Sequence, residues 1–290
     1  MNHCRVRAPT MADAKFYSLY RDMYVPKYFY TPKGLGYWEE FTFRTDDVIV
    51  ATYPKSGTNW GLELVPLVLS GGDPSVVDTV PTWERTGGMG HEKAIGMNLD
   101  TWASPRVFAT HYRYDAMPKS FHQVKPKVIY IMRNPKDVLI SGFLYFNNVE
   151  YHASTGTLTE FLHKFLRGEV PFSSWFDHVK SWLNAEDKSH ILYLTFEEML
   201  QDLQQTVRTL AQFLDRPLED EVVGQIADRC LFKNMKKNRC KQPASVDHSA
   251  FLRKGIAGDW KNHLSEEDSQ LFDSVYKDKM KDVDFTFIWD

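Results

Sequence analysis

The stretch DVIVATYPKSGTNW, Asp47 to Trp60, decides the fold. Its first half, Asp47–Tyr53, is a β-branched apolar run without polar alternation, the pattern of a strand buried on both faces of a parallel sheet. Its second half, Pro54-Lys55-Ser56-Gly57-Thr58-Asn59, is a small-residue turn leading into a helical pattern over Thr58–Ser70. A strand that turns tightly into a helix aims backbone N–H groups and the positive end of the helix dipole at the turn. Lys55 adds a full charge there, and Ser56 and Thr58 add hydroxyl donors. The turn reads as an anion cradle, although the GxxxxGK[ST] of a Walker A loop is absent and Lys55 precedes the Gly. An ordinary strand-to-helix turn capped by Ser or Thr has the same local appearance.

Three further runs of the same kind follow: Arg106–Thr110 (RVFAT), Lys127–Met132 (KVIYIM) and His190–Thr195 (HILYLT). Helical patterns lie between and after them, at Pro135–Asn147 and Glu198–Leu214. Alternating strands and helices predict an α/β fold with a central parallel sheet flanked by helices, built around a P-loop-like strand–loop–helix. At roughly 150 residues per domain the 290-residue length would suggest two domains, but α/β folds of this size are often one. A single domain over 1–290 is expected, with 1–20 as a loosely ordered extension. Two stretches lack periodicity, Gly71–Thr101 and Lys233–Gly258. Loops this long inside a compact domain are usually lids or binding loops, and that is the expectation for both.

Composition narrows the function. Hydrophobic residues make up 43% and charged residues 25%, which excludes a disordered, collagen-like or coiled-coil chain. Lys and Arg number 35 against 38 Asp and Glu, so nothing favours a nucleic-acid partner, whereas a local cluster still suits a small anion. No run approaches the roughly 18 apolar residues of a spanning helix, and the N-terminus lacks an apolar signal core, so a cytoplasmic protein without membrane partners is expected. Cys4, Cys230 and Cys240 form no CxxC pair and read as free thiols. The ten histidines show no metal spacing, and no metal is expected.

Two more segments carry charge to the same end of the sheet. In IMRNPKDVLISG, Ile131 to Gly142, Arg133 sits just past the third strand and Ser141 lies about two helical turns on. His111 follows the second strand, where a near-neutral imidazole is suited to accept a proton from a hydroxyl. Ligands of parallel sheets bind outside the carboxyl ends of strands, where Lys55, His111 and Arg133 all fall. In FLRKGIAGDWK, Phe251 to Lys261, Arg253 and Lys254 beside Gly255 form a doubly charged clamp. Each of these residues alone is more often a surface or structural one.

Together the three segments resemble the cytosolic sulfotransferase family. YPKSGTNW looks like its 5′-phosphosulfate loop, RNPKDVLIS like its 3′-phosphate segment, and RKGIAGDWK like its C-terminal signature, in matching order from about Tyr28 to Met280. The resemblance implies transfer of a sulfuryl group from 3′-phosphoadenosine 5′-phosphosulfate (PAPS) to a small-molecule acceptor, leaving the bisphosphate PAP and needing no metal. It assigns catalytic roles to Lys55, on the leaving phosphate, to His111 as base, and to Ser141. It assigns the nucleotide to Lys55, Ser56, Gly57, Thr58, Asn59, Trp60, Arg133, Ser141, Phe196, Phe232, Met235, Arg253, Lys254 and Gly255. Trp60 and Phe232 would pack on adenine.

The sequence departs from the commoner family pattern at several positions. Ala109 stands where many members have Lys, and Phe196 replaces a Tyr while keeping a stacking face. Cys230-Leu231 replaces a Thr-Ser pair. The dimer motif KxxxTVxxxE is degenerate, running from Lys261 through Ser265 and Glu266 to Gln270, which puts the family's homodimer in question. ATHYRYD and the MADAKF start look nearer the 6B-type branch than the phenol or hydroxysteroid branches.

Phe29, Tyr30, Trp83, Met89, Tyr145, Tyr151 and Phe251 are candidates for an apolar acceptor pocket. An aromatic lining favours phenols, including iodothyronine-like ones, with steroid alcohols and amines as alternatives. Two other classes compete: a P-loop kinase, which would need Mg²⁺, and a PAPS-binding protein without turnover, suggested by Ala109.

Overall fold

The computed structural model describes residues 13–238 and 253–289. A short 3₁₀ turn, Asp13–Lys15, precedes the antiparallel pair β1 (Tyr17–Tyr20) and β2 (Met23–Pro26). The described part of the segment expected to be loosely ordered is therefore structured, because Met23 and Val25 are fully buried and hold the hairpin down. The central sheet contains β3 (Val48–Thr52), β4 (Gly87–Gly88), β5 (Val107–Thr110), β6 (Lys127–Met132) and β7 (Ile191–Thr195). Its order is β4-β5-β3-β6-β7, and every pairing is parallel.

The β-branched runs form strands because each face of the sheet is buried. Along β3, Ile49 and Ala51 enter one core with Phe108, Val128 and Tyr130, while Val48 and Val50 enter the other with Val107, Ile129 and Ile131. Successive side chains of a strand point to opposite faces, so a strand covered on both sides must be apolar throughout. At the amino end of the sheet the wholly buried Arg106 guanidinium spans Asp47, with Nε 2.8 Å from Oδ1 and Nη2 2.6 Å from Oδ2.

The helices in chain order are α1 (Pro32–Glu39), α2 (Thr58–Leu69), α3 (Ser75–Asp78), α4 (Thr82–Arg85), α5 (Lys119–Val124), α6 (Pro135–Phe146), α7 (Leu158–Arg167) and α8 (Trp175–Leu183). Then come α9 (Phe196–Gln201), α10 (Leu203–Phe213), α11 (Asp220–Arg229), α12 (Phe232–Asn238) and a C-terminal helix, Glu266–Met280. The single helix expected over Glu198–Leu214 is two, broken at Asp202, whose side chain caps α10 by accepting from Gln205 N at 2.8 Å. An aspartate that satisfies an orphan N–H starts a new helix more readily than it continues the old one.

Gly71–Thr101 is not an open lid. Gly87 and Gly88 pair with Phe108 and Ala109 as the edge of the sheet, and Met89 and Leu99 are core residues. This stretch also completes α2. Pro66 lies inside that helix and removes the N–H that the Leu62 carbonyl would accept. Arg85 supplies it instead: Nη1 donates to Leu62 O at 2.7 Å and Nη2 to Glu63 Oε2 at 2.9 Å. Of the second expected lid, Lys233–Gly258, residues 239–252 lie outside the described residues, and α12 occupies its start.

Candidate active site

The carboxyl ends of four neighbouring strands, β5, β3, β6 and β7, put His111, Lys55, Arg133 and Phe196 along one edge. The sheet order changes direction at β3: β4 and β5 lie on one side of it, β6 and β7 on the other. A crevice opens where such an order reverses. In the sequence Lys55, His111 and Arg133 follow three separate strands; the topology makes those strands adjacent.

The turn after β3 is tight. Lys55 has φ +69° and Gly57 φ +119°, and Gly57 caps α2 in the left-handed region without any side-chain cap bond. The φ of Gly57 is one that L side chains rarely adopt, so the residue is needed for conformation. The amino end of α2 is left facing the crevice edge with only the Gly57 backbone before it. Thr52 and Thr58 hydroxyls lie 2.6 Å apart across the turn. Lys55 Nζ sits 4.0 Å from the centroid of the Tyr145 ring.

His111 is positioned by the β3 backbone. Its Nδ1 lies 2.8 Å from Thr52 O, and a carbonyl only accepts, so Nδ1 carries the proton and Nε2 the lone pair. Burial lowers its pKa to about 4; the Thr52 bond opposes this, and the Lys55 charge adds to it. The near-neutral value expected from the sequence is thus replaced by one that keeps the ring neutral throughout the physiological range. His152 also approaches Lys55. Its Nδ1 is 3.0 Å from the Tyr17 hydroxyl of the N-terminal hairpin, and burial and Lys55 lower its pKa to about 3. No local pattern signals the Tyr17–His152 contact, which spans 135 residues.

Arg133 is buried, 8% exposed, and ties two segments together. Nη1 donates to Lys55 O and Nη2 to Ile256 O, each at 3.1 Å. The guanidinium also lies over the Phe196 ring, 4.3 Å from its centroid, so that face is covered. Phe196 meets Trp60 edge-on at 5.1 Å. Ser141 is half-buried on α6, Asn59 is in the first turn of α2, and Met235 is buried with Trp60 and Phe196 in one core. Gly255 has φ +66° and packs so closely on Phe232 that a Cβ there would lie 2.2 Å from the ring.

Four polar atoms of expected site residues are buried with no hydrogen-bond partner among the described residues: Ser56 Oγ, Trp60 Nε1, Arg133 Nε and Arg253 Nε. Buried donors are nearly always paired, so unmet donors on these segments fit an anionic ligand, although the Glu197 Oε2 acceptor is unmet as well. Arg253 and Lys254 are engaged with Asp259, each at 2.6 Å. Glu197, which the sequence reading passed over, is buried beside Arg133. Burial pushes its pKa up to about 7, against the bond that Asn134 N donates to Oε1 at 3.1 Å.

The expected acceptor residues divide. Tyr30 and Met89 are core, 3% and 1% exposed. Phe29 stacks on His91 at 5.0 Å and meets Tyr151 edge-on at 5.0 Å, and Tyr28 stacks on Tyr151 at 5.2 Å. The Tyr145 and Tyr151 hydroxyls are hydrogen-bonded, which joins this aromatic group to Lys55. Nothing is described of the Trp83 side chain, and Phe251 lies outside the described residues. Among the described residues no group of three His, Cys, Asp or Glu could hold a metal ion, and no helix is long and apolar enough to cross a membrane.

A family model described as a sulfotransferase domain matches residues 45–284. The chain is similar to sulfotransferase 2B1 of Mus musculus, 40% identical over 283 residues that cover 94% of this chain and 83% of that protein. It is 37% identical over 249 residues to the 3-beta-hydroxysteroid sulfotransferase of Cavia porcellus, covering 83% of this chain and 86% of that protein. Among solved structures it is similar to mouse sulfotransferase SULT7A1 complexed with PAP. That likeness has a TM-score of 0.79 and 29% identity, and covers 93% of this chain and 96% of that chain. None of these relatives bears on the 6B-type placement.

Proposed function

Because the chain belongs to the sulfotransferase family, we propose that it transfers a sulfuryl group from PAPS to a hydroxyl of a small apolar acceptor in the cytoplasm. The observation that carries this reading is the convergence of Lys55, His111 and Arg133 at the ends of three adjacent strands. The residues present fit the nucleotide: the unmet donors of Ser56, Trp60, Arg133 and Arg253 lie on the segments that the family resemblance assigns to it. The mouse structure with PAP, 29% identical, supports the same ligand class.

When bound, PAPS supplies an activated sulfuryl group and a phosphate that leaves with developing charge. Lys55 places a cation at the turn where that charge grows, and the amino end of α2 adds its dipole. Ser56, Gly57, Thr58 and Asn59 would hold the 5′ phosphate, and Arg133, Ser141, Arg253, Lys254 and Gly255 the 3′ phosphate. Trp60, Phe196, Phe232 and Met235 would bound the adenine. His111 Nε2 takes the acceptor proton, since Nδ1 is committed to Thr52. Holding both partners in line supplies most of the acceleration in such displacements.

The acceptor is a phenol in this reading. Tyr145 lies beside Lys55 and leads through Tyr151 to Phe29 and His91, a group of flat aromatic rings. A base as weakly basic as His111 removes a phenolic proton more easily than an aliphatic one. A steroid alcohol is the second reading, favoured by the hydroxysteroid relative. Turnover of labelled PAPS against paired phenols, iodothyronines, hydroxysteroids and amines separates them. Transfer to the steroids alone overturns the phenol, and no transfer to any acceptor leaves a PAPS-binding protein.

A further inference from the structure

Asp259 has the wrong charge for a phosphate site, yet it sits at the centre of this one. Its side chain is wholly buried. Arg253 Nη1 and Lys254 Nζ each lie 2.6 Å from the carboxylate, Asn262 Nδ2 at 3.0 Å and His263 Nε2 at 3.2 Å. A buried carboxylate is costly unless its lone pairs are met, and here four donors meet them.

The carboxylate is fixed from behind. Asp259 opens a short turn, Asp259–Asn262, which follows Gly258. Asp137 of α6, itself buried, accepts from Gly258 N at 2.6 Å and from Trp260 N at 3.0 Å, gripping the main chain on both sides of Asp259. Arg133, at the base of the same helix, binds Ile256 O. One strand-to-helix junction therefore sets the place of Asp259, and Asp259 sets the place of the two cations.

A buried anion between two cations has two possible relations to an incoming phosphate. It either competes with the phosphate for them or holds them ready for it. The burial decides. The Asp259 carboxylate is inside, and its own turn supplies two of its donors. The Arg253 and Lys254 side chains are 24% and 45% exposed, and they reach it from the outer side. Arg253 uses Nη1 for the carboxylate, while its Nε has no partner among the described residues. A guanidinium carries five N–H donors and an ammonium three, so both cations retain donors after binding the carboxylate.

We propose that Asp259 is a positioning residue for the nucleotide's 3′ phosphate, holding Arg253 and Lys254 from the protein side so that their remaining donors are preset for the ligand. This rests on the PAPS reading above and extends it to a residue of the same charge as the ligand. Presetting reduces the ordering cost of binding, which falls on long flexible side chains such as these.

The test compares two nucleotides, adenosine 3′,5′-bisphosphate and adenosine 5′-monophosphate, by calorimetry on the full chain. Asp259→Asn keeps the volume and removes the charge. It should weaken the bisphosphate about tenfold, as expected for loss of charge-assisted hydrogen bonds, and leave the monophosphate within about twofold. Equal weakening of both nucleotides would reduce Asp259 to a structural role, and tighter bisphosphate binding would make it a competitor; either overturns the proposal. If Asp259→Asn does not fold, the pair Asn262→Ala and His263→Ala loosens the carboxylate instead. It should show a smaller loss, about threefold, confined to the bisphosphate, and no selective loss overturns the proposal. Parent protein that fails to discriminate the two nucleotides would sink the 3′-phosphate assignment of Arg253 and Lys254 itself.

Discussion

His111 Nδ1 donates to the main-chain oxygen of Thr52 at 2.8 Å, so the strand that carries the anion turn also fixes which nitrogen of the histidine is basic. That bond is made to backbone and survives any substitution at Thr52 that keeps the strand. His111→Asn should lower kcat by about 10²–10⁴ while PAP affinity and Tm stay near the parent values. Because the pKa is near 4, the acid limb of kcat/KM in the parent should fall close to pH 4 rather than near 6.5. A mutant that turns over an ordinary phenol at the parent rate removes His111 from the chemistry.

The same depression makes stability depend on pH. His91 and His111 are held near 4 and His152 near 3, in each case first by burial, against about 6.5 in the unfolded chain. His178 is pushed well below its usual value for the same reason. The unfolded state then binds more protons than the folded one. The histidines' contribution is full above about pH 6.5 and declines as pH falls from there towards their folded-state values, while Glu197, raised to about 7 by burial, contributes the opposite way but is one group against four. Tm measured from pH 8 to pH 4.5 should be flat at first and then drop steadily below about 6.5. A flat profile down to pH 4.5 would show these rings titrating normally.

Lys55 and Arg133 should separate by kinetic signature. Lys55→Ala is expected to lower kcat by about 10²–10³ with little change in PAP affinity, since its charge acts on the leaving group. Arg133→Ala should raise KM for PAPS and also lower kcat, because Nη1 holds the main chain of Lys55 itself. Arg253→Ala, with no bond to the Lys55 backbone, should raise KM alone, by roughly 1.5–3 kcal/mol. An Arg133→Ala enzyme with parent kcat at saturating PAPS would contradict the link through Lys55 O. Arg133→Lys should not rescue, since one ammonium cannot reach two carbonyls in fork geometry.

Asp47→Ala tests the other end of the sheet. It leaves the wholly buried Arg106 without its two-pronged partner and should cost about 3–5 kcal/mol, seen as a lower denaturation midpoint. PAP affinity of the folded fraction should be unchanged, because the pair lies at the opposite ends of β3 and β5 from the site.

The strands and the three charged segments were legible because each depends on local pattern: VIVAT, VFAT, KVIYIM and ILYLT have continuous apolar interiors without polar alternation, and each charged segment is a contiguous motif. What escaped was long-range. Gly87 and Gly88 carry no strand signal and pair only because β5 offers an open edge. Tyr17 and His152 meet across the chain, and no periodicity couples them. Asp259 was visible only as part of a motif, since a carboxylate next to two cations reads as local charge balance until burial is known. The break at Asp202 had a readable signal, an aspartate ahead of a second amphipathic turn, which the continuous helical pattern masked.

Helix α2 is not completed by its own residues, because one of its carbonyls is answered from outside the helix. Pro66 leaves Leu62 O to be met by Arg85, which follows it by 23 residues. The hydrogen-bond ladder over the anion turn is therefore closed by a tertiary contact and cannot be finished by local helix growth. The helix whose amino end borders the Lys55–Thr58 turn is complete only with α4 docked on it, so the anion turn draws part of its support from a residue of a different helix.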